Sequence, residues 1–296
     1  MEKELYAVKR IPEGTVKAVI FVLHGVTEHS GRYADFSEKL EQENIASIIF
    51  DLPGHGMNVK RGEKPMSFGN EGWDGAVDRV YKSIKKEKEN FTNIPCFLLG
   101  FSMGSFIVRT LLIKYPSLNL NGAILVGTGH QSKIALSLGS MLVNSEIKKY
   151  GRDSFTEKID AMAFDGYNKA FKPNKTRMDW LCSNEKALQE YMADSLVGKG
   201  FTAGLFSDLL YGMKICVTQK NINKMNKKIP ILLLSGKNDS VGENGRGIHI
   251  VSSSFNKAGI QTSIRLYKGM RHDIFHEKDS YLVIKDIIQW INENCK

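Results

Sequence analysis

Short runs of apolar and β-branched residues alternate along the chain with longer stretches in which apolar positions return every three or four residues. The short runs are residues 16–23 (VKAVIFVL), 45–50 (IASIIF), 95–100 (PCFLLG), 123–127 (AILVG), 229–235 (IPILLLS) and 262–267 (TSIRLY). Near-continuous hydrophobicity over so short a span is what a strand covered on both faces requires. Between them, residues 33–43, 73–86, 103–115, 244–258 and 280–292 carry the spacing of amphipathic helices. The alternation predicts an α/β protein, with a mostly parallel central sheet flanked by helices.

The pattern breaks over residues 130–221, where the segments look helical, contain Gly and Met, and hold no convincing strand run. The sequence therefore predicts one domain with an insertion: a core built from residues 1–129 and 222–296, and a helical cap, or lid, over 130–221. Within the cap, residues 134–147 (IALSLGSMLVNSEI) place Ile134, Leu138, Met141 and Leu142 on one helical face. That face is expected either to pack on the core or to line the entrance to a ligand pocket.

Composition narrows the class. The 296 residues are 42% apolar and 25% charged, as in an ordinary globular protein. No apolar run approaches the roughly 18 residues that span a bilayer, and the opening MEKELYAVKRIPEG interrupts every apolar stretch with charge. The expectation is a soluble cytoplasmic protein. Cys96, Cys182, Cys216 and Cys295 are too widely spaced for a metal pair or a dense disulfide framework, and read as reduced, structural residues. The net charge of +9 mildly favours anionic surfaces or substrates. The most basic stretch, residues 169–177 (KAFKPNKTR), sits in no nucleic-acid module, so it reads as a solvated face and no nucleic-acid partner is expected.

The strongest chemical signal is Gly100-Phe101-Ser102-Met103-Gly104, which follows the strand run PCFLLG and opens the helical pattern MGSFIVRTLLIKY. A sharp strand-to-helix turn needs small residues on both sides, here Gly100 and Gly104, and it exposes the serine hydroxyl at the carboxyl edge of the sheet. That hydroxyl is a weak nucleophile, so it needs a base and a third group that fixes the base's tautomer. On such a scaffold the acid and then the histidine follow the nucleophile, each after a later strand. Asp239 lies in the turn GKNDSVG directly after IPILLLSG, and His272 follows TSIRLYKGMR. His249 falls within a helix and His130 precedes the acid. His276 competes, because HDIFH resembles the H-E-x-x-H zinc signature with Asp for Glu. That reading needs both histidines on one helix and a third ligand, and the sequence offers neither. His276 then lies behind the site or at the surface. Two donors must face the oxyanion, and the backbone N–H groups of Met103 and of Val26, in the loop after VKAVIFVL, occupy the right places.

With these residues placed, the chain resembles the monoacylglycerol lipase and lysophospholipase branch of the α/β-hydrolases, a branch grouped with serine aminopeptidase-like hydrolases. The resemblance runs through 24–33 (HGVTEHSGRY), 51–56 (DLPGHG), 100–104 (GFSMG) and 269–277 (GMRHDIFHE). It extends into the cap through 164–171 (FDGYNKAF), 179–182 (DWLC) and 200–209 (GFTAGLFSDL), which look like bacterial members. It implies the α/β-hydrolase fold, with Ser102 as nucleophile, Asp239 as acid, His272 as base, and Val26 and Met103 as oxyanion donors. It also implies hydrolysis of a small-molecule ester or lipid with a medium or long acyl chain, through an acyl-enzyme, with no metal or organic cofactor. Contact with a membrane surface would be transient at most, through the cap. Two departures stand out: Asp273 where members usually have Glu, and Val26 where a smaller residue is common, which would narrow the acyl pocket. Thioester or amide hydrolysis would use the same triad, and a silent ligand-binding receptor on this fold would discard it.

Overall fold

The computed structural model describes residues 4–295. Seven strands form one sheet: β1 (Ala7–Arg10), β2 (Ala18–Leu23), β3 (Ile45–Phe50), β4 (Cys96–Phe101), β5 (Gly122–Val126), β6 (Ile231–Gly236) and β7 (Thr262–Tyr267). Their order is β1-β3-β2-β4-β5-β6-β7, parallel except where β1 runs against β3. Every residue of β2 to β6 is buried, as their unbroken apolar runs require, whereas the edge strands β1 and β7 are partly open. β1 was not among the apolar runs. Its four residues, AVKR, are half charged and belong to an edge, where one side of the ladder needs no covering.

The helices are α1 (Ala34–Gln42), α2 (Gly56–Lys60), α3 (Gly72–Lys88), α4 (Met103–Lys114), α5 (Lys133–Tyr150), α6 (Glu157–Asp160), α7 (Glu185–Ala193), α8 (Ala203–Cys216), α9 (Gln219–Ile222), α10 (Arg246–Lys257) and α11 (Ser280–Glu293). Alternate residues of each strand feed opposite faces. Ala18, Ile20 and Val22 of β2 pack with Phe36 and Leu40 of α1 and Val283, Ile287 and Trp290 of α11. Val19, Phe21 and Leu23 face the side covered by α3, α4 and α10. The chain passes from β2 to β3 and then crosses back to β4 on the other side of β2. That reversal leaves a crevice beyond the carboxyl ends of β2 and β4, the place where open α/β sheets hold their ligands.

Between β5 and β6 the described residues contain helices and turns only, with α8 packed on α4 and α5 packed on α8. This double covering explains why α4 is buried from Met103 to Ile113, a burial that its own sequence pattern does not require.

Residues 134–147 are helical, but the face that the spacing singled out points outward. Ile134, Leu138, Met141 and Leu142 are 75%, 57%, 69% and 47% exposed, while Leu136, Val143 and Glu146 are buried. Apolar residues cover more than half of this helix's circumference, so periodicity alone leaves two candidate faces. Glycine decides between them: Gly139 sits on the inner face, where an added Cβ would lie 3.5 Å from Leu210 of α8. Among the described residues no helix is long and apolar enough to cross a membrane.

Candidate active site

Ser102 sits at the turn between β4 and α4 with φ 48° and ψ −115°, a conformation that costs a non-glycine residue backbone strain. The turn closes because its neighbours lack side chains. A Cβ on Gly100 would lie 2.4 Å from the Gly104 carbonyl oxygen, and one on Gly104 would lie 2.2 Å from that of Leu23. The strained turn lifts the Ser102 side chain above the sheet edge.

His272 arrives on the loop after β7, and its Nε2 lies 2.9 Å from Ser102 Oγ. Its Nδ1 is 2.9 Å from Asp239 Oδ1, on the loop after β6. Asp239 is fully buried and held on all sides: Oδ1 also accepts from the N–H groups of Val241 (2.9 Å) and Gly242 (3.2 Å), and Oδ2 accepts from Ser235 Oγ at 3.1 Å. The aromatic rings of Phe101 and Trp180 flank His272, with centroids 5.0 and 5.4 Å away. Burial alone would push this imidazole down. The charge and hydrogen bond of Asp239, joined by the charges of Asp273 and Glu28, outweigh burial and hold it above its ordinary value.

Val26 and Met103 both border Ser102. Met103 is the first residue of α4, so its N–H has no carbonyl partner within the helix. A cavity of about 20 Å³ lies beside Val26 and Ser102, room for little more than one oxygen atom. The loop that carries Val26 is braced from behind by Glu28, whose Oε2 accepts the Gly25 N–H at 3.0 Å.

Glu28 opens a buried network that the sequence motifs contained without revealing. Arg32 donates from Nε to Glu28 Oε1 and from Nη2 to Asp273 Oδ2, each at 3.1 Å. His276 places Nδ1 2.7 Å from the same Asp273 oxygen and donates from Nε2 to the Arg32 carbonyl at 3.0 Å. A ring facing a carboxylate on one nitrogen and a carbonyl on the other carries both protons. Burial disfavours that charge, but Asp273 more than compensates and raises the His276 pKa. The network thus alternates two anions with two cations and joins the loop after β2 to the loop bearing His272. The visible signal was the i,i+4 spacing of Glu28 and Arg32 inside a motif otherwise rich in Gly and Ser. For the zinc alternative, every ring nitrogen of His272 and His276 is engaged, and among the described residues no cluster of three or more His, Cys, Asp or Glu is gathered for a metal.

The cap is fastened around the same histidine. Asp273 N–H donates to the Leu181 carbonyl at 2.7 Å, and Glu277 Oε1 accepts from both Arg271 N–H (2.8 Å) and Ser183 N–H (3.0 Å). Further round, Gly198 N–H donates to the Thr27 carbonyl at 2.8 Å, and His29 Nε2 lies 2.7 Å from Asp194 Oδ2.

Two larger spaces lie near Ser102, and the first of them is lined by it. One is an apolar chamber of about 280 Å³ bordered by Phe106, Leu136, Met162, Trp180, Leu210 and Met213. The other is a polar cleft of about 490 Å³ lined by Asp160, Asp165, Asn168, Arg177, Asp194 and Lys199, which shares Thr27, Phe164, Met178 and Tyr191 with the small cavity beside Ser102. A wider groove of about 560 Å³ between α1 and α11 holds none of these groups.

The parallel sheet, the strained serine turn and the inserted cap define an α/β-hydrolase. The family model described as Serine aminopeptidase, S33 matches residues 14–279, and the chain belongs to that family. It is 27% identical over 293 residues to the Monoglyceride lipase homolog of Monkeypox virus, covering 95% of this chain and 91% of that protein. It is 24% identical over 295 residues to the Monoglyceride lipase of Mus musculus, covering 95% and 84%. Among solved structures, the thermostable carboxyl esterase of Bacillus coagulans in complex with glycerol superposes with a TM-score of 0.91 at 24% identity, over 98% of this chain and 94% of that one.

Proposed function

We propose that the protein hydrolyses monoacylglycerol-like or lysophospholipid-like esters through an acyl-enzyme on Ser102. Family membership and the monoglyceride lipase and esterase relatives make it a carboxylic ester hydrolase. The observation that carries the finer reading is the His272 imidazole, bridging Ser102 and Asp239 at 2.9 Å each, at the mouth of an apolar chamber.

In this reading His272 Nε2 takes the Ser102 proton as Oγ attacks the ester carbonyl, while Asp239 fixes the Nδ1–H tautomer and stabilises the imidazolium that forms. The developing oxyanion receives the Val26 and Met103 N–H groups, which border Ser102 together. Collapse of the tetrahedral intermediate transfers the proton from His272 to the departing alcohol. Water then repeats the sequence on the acyl-enzyme and releases the acid. The acyl chain occupies the apolar chamber, and the alcohol half, hydroxylated or charged, faces the polar cleft.

The outward stripe of Ile134, Leu138, Met141 and Leu142, with Lys133, Lys148 and Lys149 at the ends of α5, suits transient docking on an anionic lipid surface. Four free cysteines suit a reducing, cytoplasmic setting. The test is a panel of p-nitrophenyl esters, monoacylglycerols, lysophospholipids, thioesters and aminoacyl amides, assayed alongside fluorophosphonate labelling. Preference for glycerol or lysophospholipid esters supports the reading, and preference for amides or thioesters overturns it.

A further inference from the structure

Arg109 lies about two turns along α4 from Ser102 and is 1% exposed. No carboxylate pairs with it among the described residues. Its Nη1 donates to Thr128 Oγ1 at 3.2 Å and to the Gly129 carbonyl at 3.1 Å, and its Nη2 donates to the Cys216 carbonyl at 3.0 Å. The rings of Phe106 and Phe255 lie beside the guanidinium, with centroids 5.2 and 5.9 Å from it. An unpaired buried cation is costly, and a neutral side chain of similar volume would fill this space at lower electrostatic cost. Burial accordingly pushes the guanidinium below its ordinary value.

The acceptors explain what the cation holds. Thr128 and Gly129 form the stem by which the chain leaves β5 for the cap, and Cys216 ends α8, the helix by which it returns. One planar group therefore ties both stems of the insertion to the helix that begins at the serine turn. The second stem has an additional hold, because Thr110 Oγ1 lies 3.6 Å from Cys216 Sγ. The first stem has Arg109. Both stems run directly into the walls of the apolar chamber, through Gly129 and His130 on one side and Met213 on the other. A lysine would hold them less firmly, since its ammonium lacks the planar fork that aims Nη1 at one segment and Nη2 at the other.

We propose that Arg109 is a positioning residue for acyl specificity: by fixing the separation of the two cap stems, it sets the width of the chamber that receives the acyl chain. This rests on the chamber being the acyl site. Arg109 touches neither Ser102 nor His272, so its effect is on the length and fit of the chain and not on bond breaking.

The experiment compares wild type, Arg109→Met and Arg109→Lys on p-nitrophenyl esters from acetyl to dodecanoyl below their micellar limits, with hydrogen exchange of the stem amides. Arg109→Met removes the charge, and Arg109→Lys carries the same comparison if the first variant does not fold. Acetyl-ester kcat and the rate of fluorophosphonate labelling should stay within about threefold of wild type. KM for medium-chain esters should rise about tenfold or more, because a small displacement of a positioning wall is enough to lose that factor. Exchange at residues 128–132 and 213–218 should speed up by about tenfold while β4 is unchanged, the mark of a locally released stem. A wild-type chain-length profile that is flat overturns both this proposal and the assignment of the chamber. A sloped wild-type profile that neither variant shifts, or equal losses on acetyl and dodecanoyl esters, overturns the role of Arg109 alone.

Discussion

Arg32 and Asp273, 241 positions apart in the chain, meet at 3.1 Å with both side chains nearly inaccessible, and the carboxylate they share this contact through also faces the His276 ring. The pair ties the loop that carries Val26 to the loop that carries His272. Its partner Glu28 holds the Gly25 N–H, so the order of the network reaches the backbone of Val26. Removing one member of a buried ion network leaves the remaining charges uncompensated, at about 3–5 kcal/mol. Arg32→Met should therefore lower stability in urea by an amount of that order and depress kcat on every ester. A stability loss below about 1 kcal/mol would show that the network is solvated and does not brace the site.

Ser102→Ala should abolish both fluorophosphonate labelling and ester turnover. The strained turn and the aligned imidazole converge on this hydroxyl. Labelling that survives in the variant would mean that a different nucleophile reacts.

The two histidines of the HDIFH segment separate cleanly by geometry. His272 faces Ser102, whereas His276 is occupied by Asp273 and the Arg32 carbonyl. His272→Ala should lose about three or more orders of magnitude in kcat, the usual consequence of deleting the base of a triad. His276→Ala should lose about tenfold or less through loosening of the network. Steady-state kinetics on both variants decides it, and equal losses would move His276 into the chemistry.

A base works only when neutral, so activity falls as pH drops through its folded-state pKa. That of His272 lies above 6.5, because Asp239 and the more distant Asp273 and Glu28 favour the imidazolium against burial. The acid limb of kcat/KM should accordingly have its midpoint above 6.5. Asp273→Asn removes one of the raising charges and leaves the Arg32 and His276 cations less compensated, and both changes move the midpoint to lower pH. An upward shift in the pH profile of that variant would contradict the assigned electrostatics.

The sheet was legible because β2 to β6 are buried on both faces and must be apolar without interruption. Ser102, Asp239 and His272 were legible for a topological reason: each follows a strand that is easy to find, and parallel strands deliver their carboxyl ends to one edge. β1 escaped because a charged edge strand needs no apolar run. Glu28, Arg32 and Asp273 were visible as letters of a motif, but a sequence does not show which buried charges pair across 241 positions. The outward face of α5 was misjudged because its apolar residues wrap most of the helix, and only the approach of α8 at Gly139 fixes its rotation.

That rotation gives the last prediction, on the apolar chamber. Its wall on α5 consists of Ala135, Leu136 and Gly139, while Leu138 is 57% exposed on the opposite side. Each methylene that enters an apolar wall adds up to about 0.8 kcal/mol of binding, roughly a fourfold gain in kcat/KM per carbon until the chamber is full. The wild-type profile should therefore climb from acetyl toward medium-chain esters and then level off. Gly139→Leu places four carbons into a space already close to Leu210, so it should move the plateau to shorter chains without harming acetyl turnover. Leu138→Asp should leave the profile on soluble esters unchanged, since its side chain faces away, yet slow hydrolysis of the same acyl chains presented in anionic vesicles. Comparing the three proteins on soluble and vesicular substrates separates the two faces of one helix. A plateau shifted by Leu138→Asp on soluble esters, or left in place by Gly139→Leu, would show that α5 is turned the other way in solution.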